Sequence, residues 1–214
     1  MPTIYSSSND RHIEAHSGLS FATNRDATSG TAINSSSTRD SIAVAAQKFS
    51  GRGGTTYRLR RVFFDFDTSG ISVTPSSAIF KLYGYLKNVA SFFVVKSTQS
   101  ASLSAGNFDA ITGWTAGADN SSNVTKYSSE ISSMNTSGYE DITLNATALS
   151  DMASLDTFKI CLIESTSDLA NIAPTNFTKY TGMHFIEYAG IDRDPNIEYA
   201  VAVTDNATFF GANF

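Results

Sequence analysis

Apolar and polar residues alternate with a period of two over most of this chain, the repeat that sends successive side chains to opposite faces of a β-strand. Over residues 57–67, Y-R-L-R-R-V-F-F-D-F-D, Val62, Phe64 and Phe66 share one face, and Leu59, Arg61, Phe63 and Asp65 share the other. Residues 78–86 repeat the pattern, with Ala78, Phe80, Leu82 and Leu86 opposite Ile79, Lys81, Tyr83 and Tyr85. Turn-forming Thr, Ser, Gly and Pro residues separate the two runs. Shorter runs rich in β-branched and aromatic residues predict strands at 41–49, 92–96, 139–144, 157–164, 183–188 and 197–203. Many short strands with no long helix between them predict an all-β fold, an antiparallel β-sandwich of jelly-roll-like form with about eight strands. Asn145 before A-T-A-L-S-D-M predicts one short capped helix. Residues 114–123 have no periodicity and predict a loop.

The ends differ from the middle. Ser runs and scattered Gly interrupt residues 1–40, which reads as an extended N-terminal arm laid against the sandwich through Ile4, Ile13, Leu19, Phe21 and Ile33. The sandwich then spans 41–203, and residues 204–214 form a C-terminal tail. Phenyl rings are costly to leave in water, so Phe209, Phe210 and Phe214 are expected to pack on a partner subunit or on the chain's own surface.

The 214 residues suffice for one sizeable core. Charged residues are only 16%, and Ser plus Thr make up about a quarter of the chain, so uncharged polar groups replace charge on the expected exposed faces. A net charge of −5 argues against nucleic acid or an anionic membrane as partner, since both are held through clustered Lys and Arg. One cysteine excludes an internal disulfide and any multi-Cys zinc site. The opening M-P-T-I-Y-S has neither a basic nor an apolar segment, which reads as no signal peptide, and no run is long enough to suggest a membrane span.

Few residues suggest chemistry, and no catalytic set emerges. His12 and His16 have helical ligand spacing around Glu14, but their Ser- and Gly-rich surroundings disfavour a helix. His184 sits in a strand pattern and reads as outward-facing or hydrogen-bonded, and Cys161 as a packed hydrophobe. Asp65 and Asp67 point the same way near three arginines, which favours ion pairing or turn capping over acid-base work. Glu187, Asp192 and Asp194 are candidate calcium ligands, the only cofactor the sequence suggests. Carbohydrate sites use aromatic faces flanked by amides and hydroxyls, which makes Trp114, Tyr83, Tyr85, Tyr127 and Tyr139 candidate glycan contacts.

The stretch R-R-V-F-F-D-F-D-T-S-G-I at 60–71 resembles the DNRLRE-type β-sandwich modules, relatives of carbohydrate-binding modules, whose mark is an Arg-rich strand ending in Phe-Asp-x-Ser-x-Ile. The steps at 77–83, 139–149 and 185–203 follow the family's order, while the long Ser-rich start departs from it. With its arm and aromatic tail, the chain also resembles similar modules in tailed-phage virions. That resemblance implies a non-enzymatic virion structural protein: a capsid decoration, head fibre, or tail fibre or spike subunit. It would be assembled in the host cytoplasm and would contact copies of itself and other virion proteins through its termini. The alternative is a carbohydrate-binding module for a host-surface glycan.

Overall fold

A computed structural model describes residues 1–17, 20–33, 41–88, 90–186 and 192–202. Among them eleven strands carry the fold: β1 (Thr3–Tyr5), β2 (Arg11–Ser17), β3 (Ala32–Ile33), β4 (Ser41–Gly51), β5 (Gly54–Asp67), β6 (Ser77–Asn88), β7 (Phe92–Lys96), β8 (Tyr139–Thr143), β9 (Thr157–Glu164), β10 (Tyr180–His184) and β11 (Asn196–Ala200). They form one antiparallel, unclosed sheet whose main path runs β1-β11-β6-β10-β4-β5-β2-β3, with β8 on β6, β9 on β5 and β7 on β9. The helices are short: α1 (Phe21–Arg25), α2 (Ala146–Ser154) and single turns at Ala105–Asn107 and Ser165–Leu169. None of the described helices is long and apolar enough to cross a membrane.

Two long strands branch the sheet. β5 pairs with β4 over Gly54–Arg60 and with β9 over Val62–Asp67, while β2 lies along Tyr57–Phe63. β6 serves β11 and β8 with its first half and β10 with its second. The period-two pattern of β5 therefore separates two cores rather than a core from water. Val62, Phe64 and Phe66 join Phe80 and Leu82 of β6 in one cluster, and Leu59 and Phe63 join Ile13, Val95, Cys161 and Ile163 in the other. Phe80 meets Phe64 and Phe66 edge-on, at 5.4 and 5.7 Å between ring centres. Each ring so buried contributes about 1.5–3 kcal/mol. The strands at Phe92–Lys96 and Thr157–Glu164 have the expected bounds. Asn145 caps α2, its side chain accepting from the Ala148 amide at 3.1 Å, and Ala148 and Met152 enter the first core.

The N-terminal segment is not an arm. β2 pairs with β5 from Arg11–Phe63 to Ser17–Tyr57, β1 pairs with β11, and Ser20 caps α1 by accepting from the Thr23 amide at 3.2 Å. Ile13 and Ala15 supply the core face of β2, and its polar face is matched across the ladder. The Glu14 carboxylate lies 2.6 Å from Arg60 Nε and 3.4 Å from Arg58 Nε. Opposite charges facing each other across a strand pair stabilise it, although they disguise the strand when it is read alone. Two smaller corrections concern β10 and Leu86. β10 occupies Tyr180–His184, beginning before the expected 183, and residues 187–188 of that expectation lie outside the described residues. Leu86, assigned by alternation to the core face, is 41% exposed. It lies past Gly84, where β6 leaves β8 and takes up β10 through a register shift.

The connection from β7 to β8 is long but pinned from both cores by Phe108, Ile111, Val124, Tyr127 and Ile131. The loop at 114–123 is closed by Asn120, whose side chain accepts from the Thr115 amide at 2.9 Å and donates to the Thr115 carbonyl at 3.0 Å. Gly113 is required there: its φ is +85°, and a Cβ would fall 2.1 Å from the Asn123 carbonyl oxygen.

Candidate functional site

The sequence-predicted tyrosines come together only in part. Tyr83 and Tyr139 sit opposite each other on β6 and β8, with ring centres 5.5 Å apart. The His184 ring lies 5.6 Å from Tyr83 and 5.5 Å from Tyr85; it is buried, and it is hydrogen-bonded, its Nε2 lying 3.3 Å from Arg193 Nη1. The Arg193 guanidinium lies over Tyr83 at 4.8 Å, and Tyr139 Oη donates to the Asp194 carbonyl at 3.2 Å. Burial, and then the negative charge of Asp194, push the Tyr139 phenol up to about 12. The cluster holds Tyr83 and Tyr139 edge to face and leaves Tyr85, 54% exposed, as its accessible ring.

Tyr85 forms one wall of a groove of about 160 Å³. Leu86, Tyr180 and Arg60 continue the walls, and Ala43 and Gly182 lie between them. A Cβ on Gly182 would sit 3.4 Å from Tyr85 Cδ1 and 3.5 Å from Leu86 Cβ, so the glycine leaves space that any side chain would fill. The groove is smaller than the roughly 300–1,000 Å³ of most small-molecule pockets, which suits one ring rather than an extended ligand. A tyrosine and an arginine lining one groove are residue types that fit a polyol. Tyr180 and Gly182 carried no signal in the sequence, because a lone glycine after Thr181 reads as a break in a strand.

The other glycan candidates are corrected. Tyr127 is wholly buried, its ring stacked on Phe158 at 5.1 Å and its hydroxyl bonded to Asp151. Burial and Asp151 raise its phenol well above the usual range. Trp114 is half-buried beneath two guanidiniums, Arg61 at 4.0 Å and Arg25 at 4.5 Å from its ring centre. Its ring thus belongs to a buried ion network. Arg61, fully buried, donates to both carboxylate oxygens of Asp168 at 2.9 and 2.7 Å. Glu164, also fully buried, accepts from the Ser167 and Asp168 amides at 2.6 and 3.0 Å and so shapes the turn that presents Asp168.

The remaining candidates have local roles or lie elsewhere. Asp65 accepts from Ser7 and Asn9, and Asp67 accepts from the Ser69 amide and hydroxyl at 3.0 and 2.6 Å, which holds its carboxyl below the usual range. Cys161 is buried and its thiol is pushed up by desolvation. His12 and His16 lie on β2, where His12 faces the Ala43 amide and His16 lies 3.7 Å from Glu14. Of the calcium candidates, Asp192 is exposed and Asp194 buried, and Glu187 lies outside the described residues. No group of three potential metal ligands occurs among the described residues. Phe209, Phe210 and Phe214 also lie outside them. The chain reaches its last described residues, Val201 and Ala202, at an apolar surface formed with Ile71, Val73 and Tyr199. No family model and no curated protein matches this chain.

Proposed function

We propose that the chain is a non-enzymatic structural subunit of a tailed-phage virion, a capsid decoration, head fibre, or tail fibre or spike component. In this reading its strands form a jelly-roll-like sandwich that assembles through its ends with copies of itself and other virion proteins. The observation that carries it is the apolar end of the sheet. Val73 and Val201 are 59% and 42% exposed at the place where the chain continues into a segment bearing Phe209, Phe210 and Phe214. Apolar surface joined to aromatic chain is expected to be covered by an interface. The buried charges fit the same reading, since Arg61 and Asp168 pair with each other and Glu164 caps backbone amides. Light scattering of the full chain against a chain lacking 203–214 tests it: an oligomer that dissociates on truncation supports assembly, and a monomer in both that binds no particle refutes it.

A second reading, glycan binding, is favoured by the half-exposed Tyr85 ring at the Gly182 groove. A glycan array in which the native chain binds and Tyr85→Ala and Gly182→Val do not would support it. An array without a hit removes it.

A further inference from the structure

The apolar end is concave. Ile71 and Val73, from the β5–β6 connection, face Tyr199, Val201 and Ala202 across a groove of about 360 Å³. Among the described residues Gly70 and Ser72 complete its lining, and none of those bordering it is charged. Ile71 reaches down into the first core, while Val73 and Val201 form the wetted rim. A cleft of this size and apolarity fits aromatic side chains.

We infer that this groove receives the Phe209–Phe210 pair of a second copy of the chain, in reciprocal exchange. The inference rests on the assembly reading above and supplies its donor and acceptor. Apolar lining and phenyl rings match in chemistry, and the linker between them is short. Residues 203–208 span at most about 20 Å when extended. Because each groove adjoins its own chain's exit, two copies related by a two-fold axis through this end bring both exits within that reach of both grooves. Tyr199, Val201 and Ala202 are at once groove wall and stem of the segment. To fill its own groove, the segment would have to reverse direction within V-T-D-N-A-T, which has three β-branched residues and neither Gly nor Pro. Asp205 and Asn206 supply the one turn signal in that stretch, so occupation by the same chain is the alternative the experiment must separate.

The test is a Val73→Cys/Phe210→Cys double variant of the full chain, oxidised under dilute conditions; buried Cys161 is not available to compete. Size-tagged and untagged copies are mixed beforehand. The expected result is a covalent heterodimer, with Val73→Asp and Phe210→Ser each weakening association of the native chain about tenfold or more. A cross-link confined to single chains, or no cross-link at all, overturns the inference. If association survives both Val73→Asp and deletion of 203–214, the groove inference fails while assembly stands. If the native chain is a monomer that binds no particle, the assembly reading fails as well.

Discussion

Replacing Asp168 with asparagine keeps the side chain's shape and removes its charge from the best-enclosed ion pair in the molecule. Arg61 and Asp168 are both 0% exposed. Arg61 donates twice to Asp168, to the Phe108 carbonyl at 2.9 Å and to the Arg25 carbonyl at 3.0 Å, with its guanidinium over the Phe108 ring at 4.1 Å. Arg25 leans on the same carboxylate, Nε to Oδ1 at 4.0 Å. Its guanidinium is held below the usual arginine value, by burial first, and Asp168 opposes that shift. With asparagine at 168, two buried guanidiniums face one another with no buried anion between them. Breaking a buried pair by removing one partner costs about 3–5 kcal/mol. A chain of this size loses about 2–4 °C in Tm per kcal/mol, so the fall is expected to be roughly 6–20 °C. Urea unfolding with an unchanged m value is the cleaner assay, since it separates lost stability from a changed unfolded state. The double variant Arg61→Met/Asp168→Leu should be more stable than either single variant, because Arg61 and Asp168 then leave no charge behind and Arg25 keeps Asp26 at 2.6 Å. A loss below about 1 kcal/mol for Asp168→Asn, or a double variant that merely sums the singles, would refute the reasoning.

Three further outcomes follow from side chains already placed. Tyr139 keeps its proton in the folded state up to about pH 12, so its contribution is intact below about pH 10 and is lost as pH rises between those values. Absorbance titration should show Tyr139 ionising only near pH 12 and Tyr127 only with unfolding. Gly113→Ala should cost about 2 kcal/mol or more, because both the positive φ and the Asn123 carbonyl oppose a Cβ; an unchanged denaturation midpoint would contradict this. Cys161 should resist thiol reagents in the native protein and react at once in denaturant, and rapid native labelling would show that its burial is wrong.

How far the fold could be read from sequence depended on whether a residue's environment lay close to it in the chain. The alternation Val62, Phe64, Phe66 and the Asn145 cap report local geometry, and β5 and α2 were legible for that reason. β2 was not, because Glu14 makes sense only opposite Arg58 and Arg60, which arrive with β5. Arg61 shares its face with Leu59, Phe63 and Asp65, and its partner Asp168 is 107 residues away. Trp114 looked like a ligand platform because its ring is large and its neighbours polar, whereas two distant arginines cover it. At the candidate site Tyr83, Tyr85 and Tyr139 were visible by type. The groove beside them depends on Gly182, where the absence of a side chain creates the space, and sequence patterns record side chains better than gaps.

The pairing of β1 with β11 sets a schedule for the chain's synthesis. Thr3–Tyr5 find their partners at Asn196–Glu198, and the Arg25 guanidinium waits for the carbonyl of Asp168. A nascent chain that has emerged only through β5 can pair β4-β5-β2, but it lacks the strand that covers β1 and the carboxylate of Asp168 that pairs with Arg61. Such long-range closures fold slowly and leave apolar edges exposed meanwhile. Cooperative folding is therefore expected only once β11 is available, and a chain terminated before Asn196 should be a substrate for chaperones and proteases rather than a smaller stable protein.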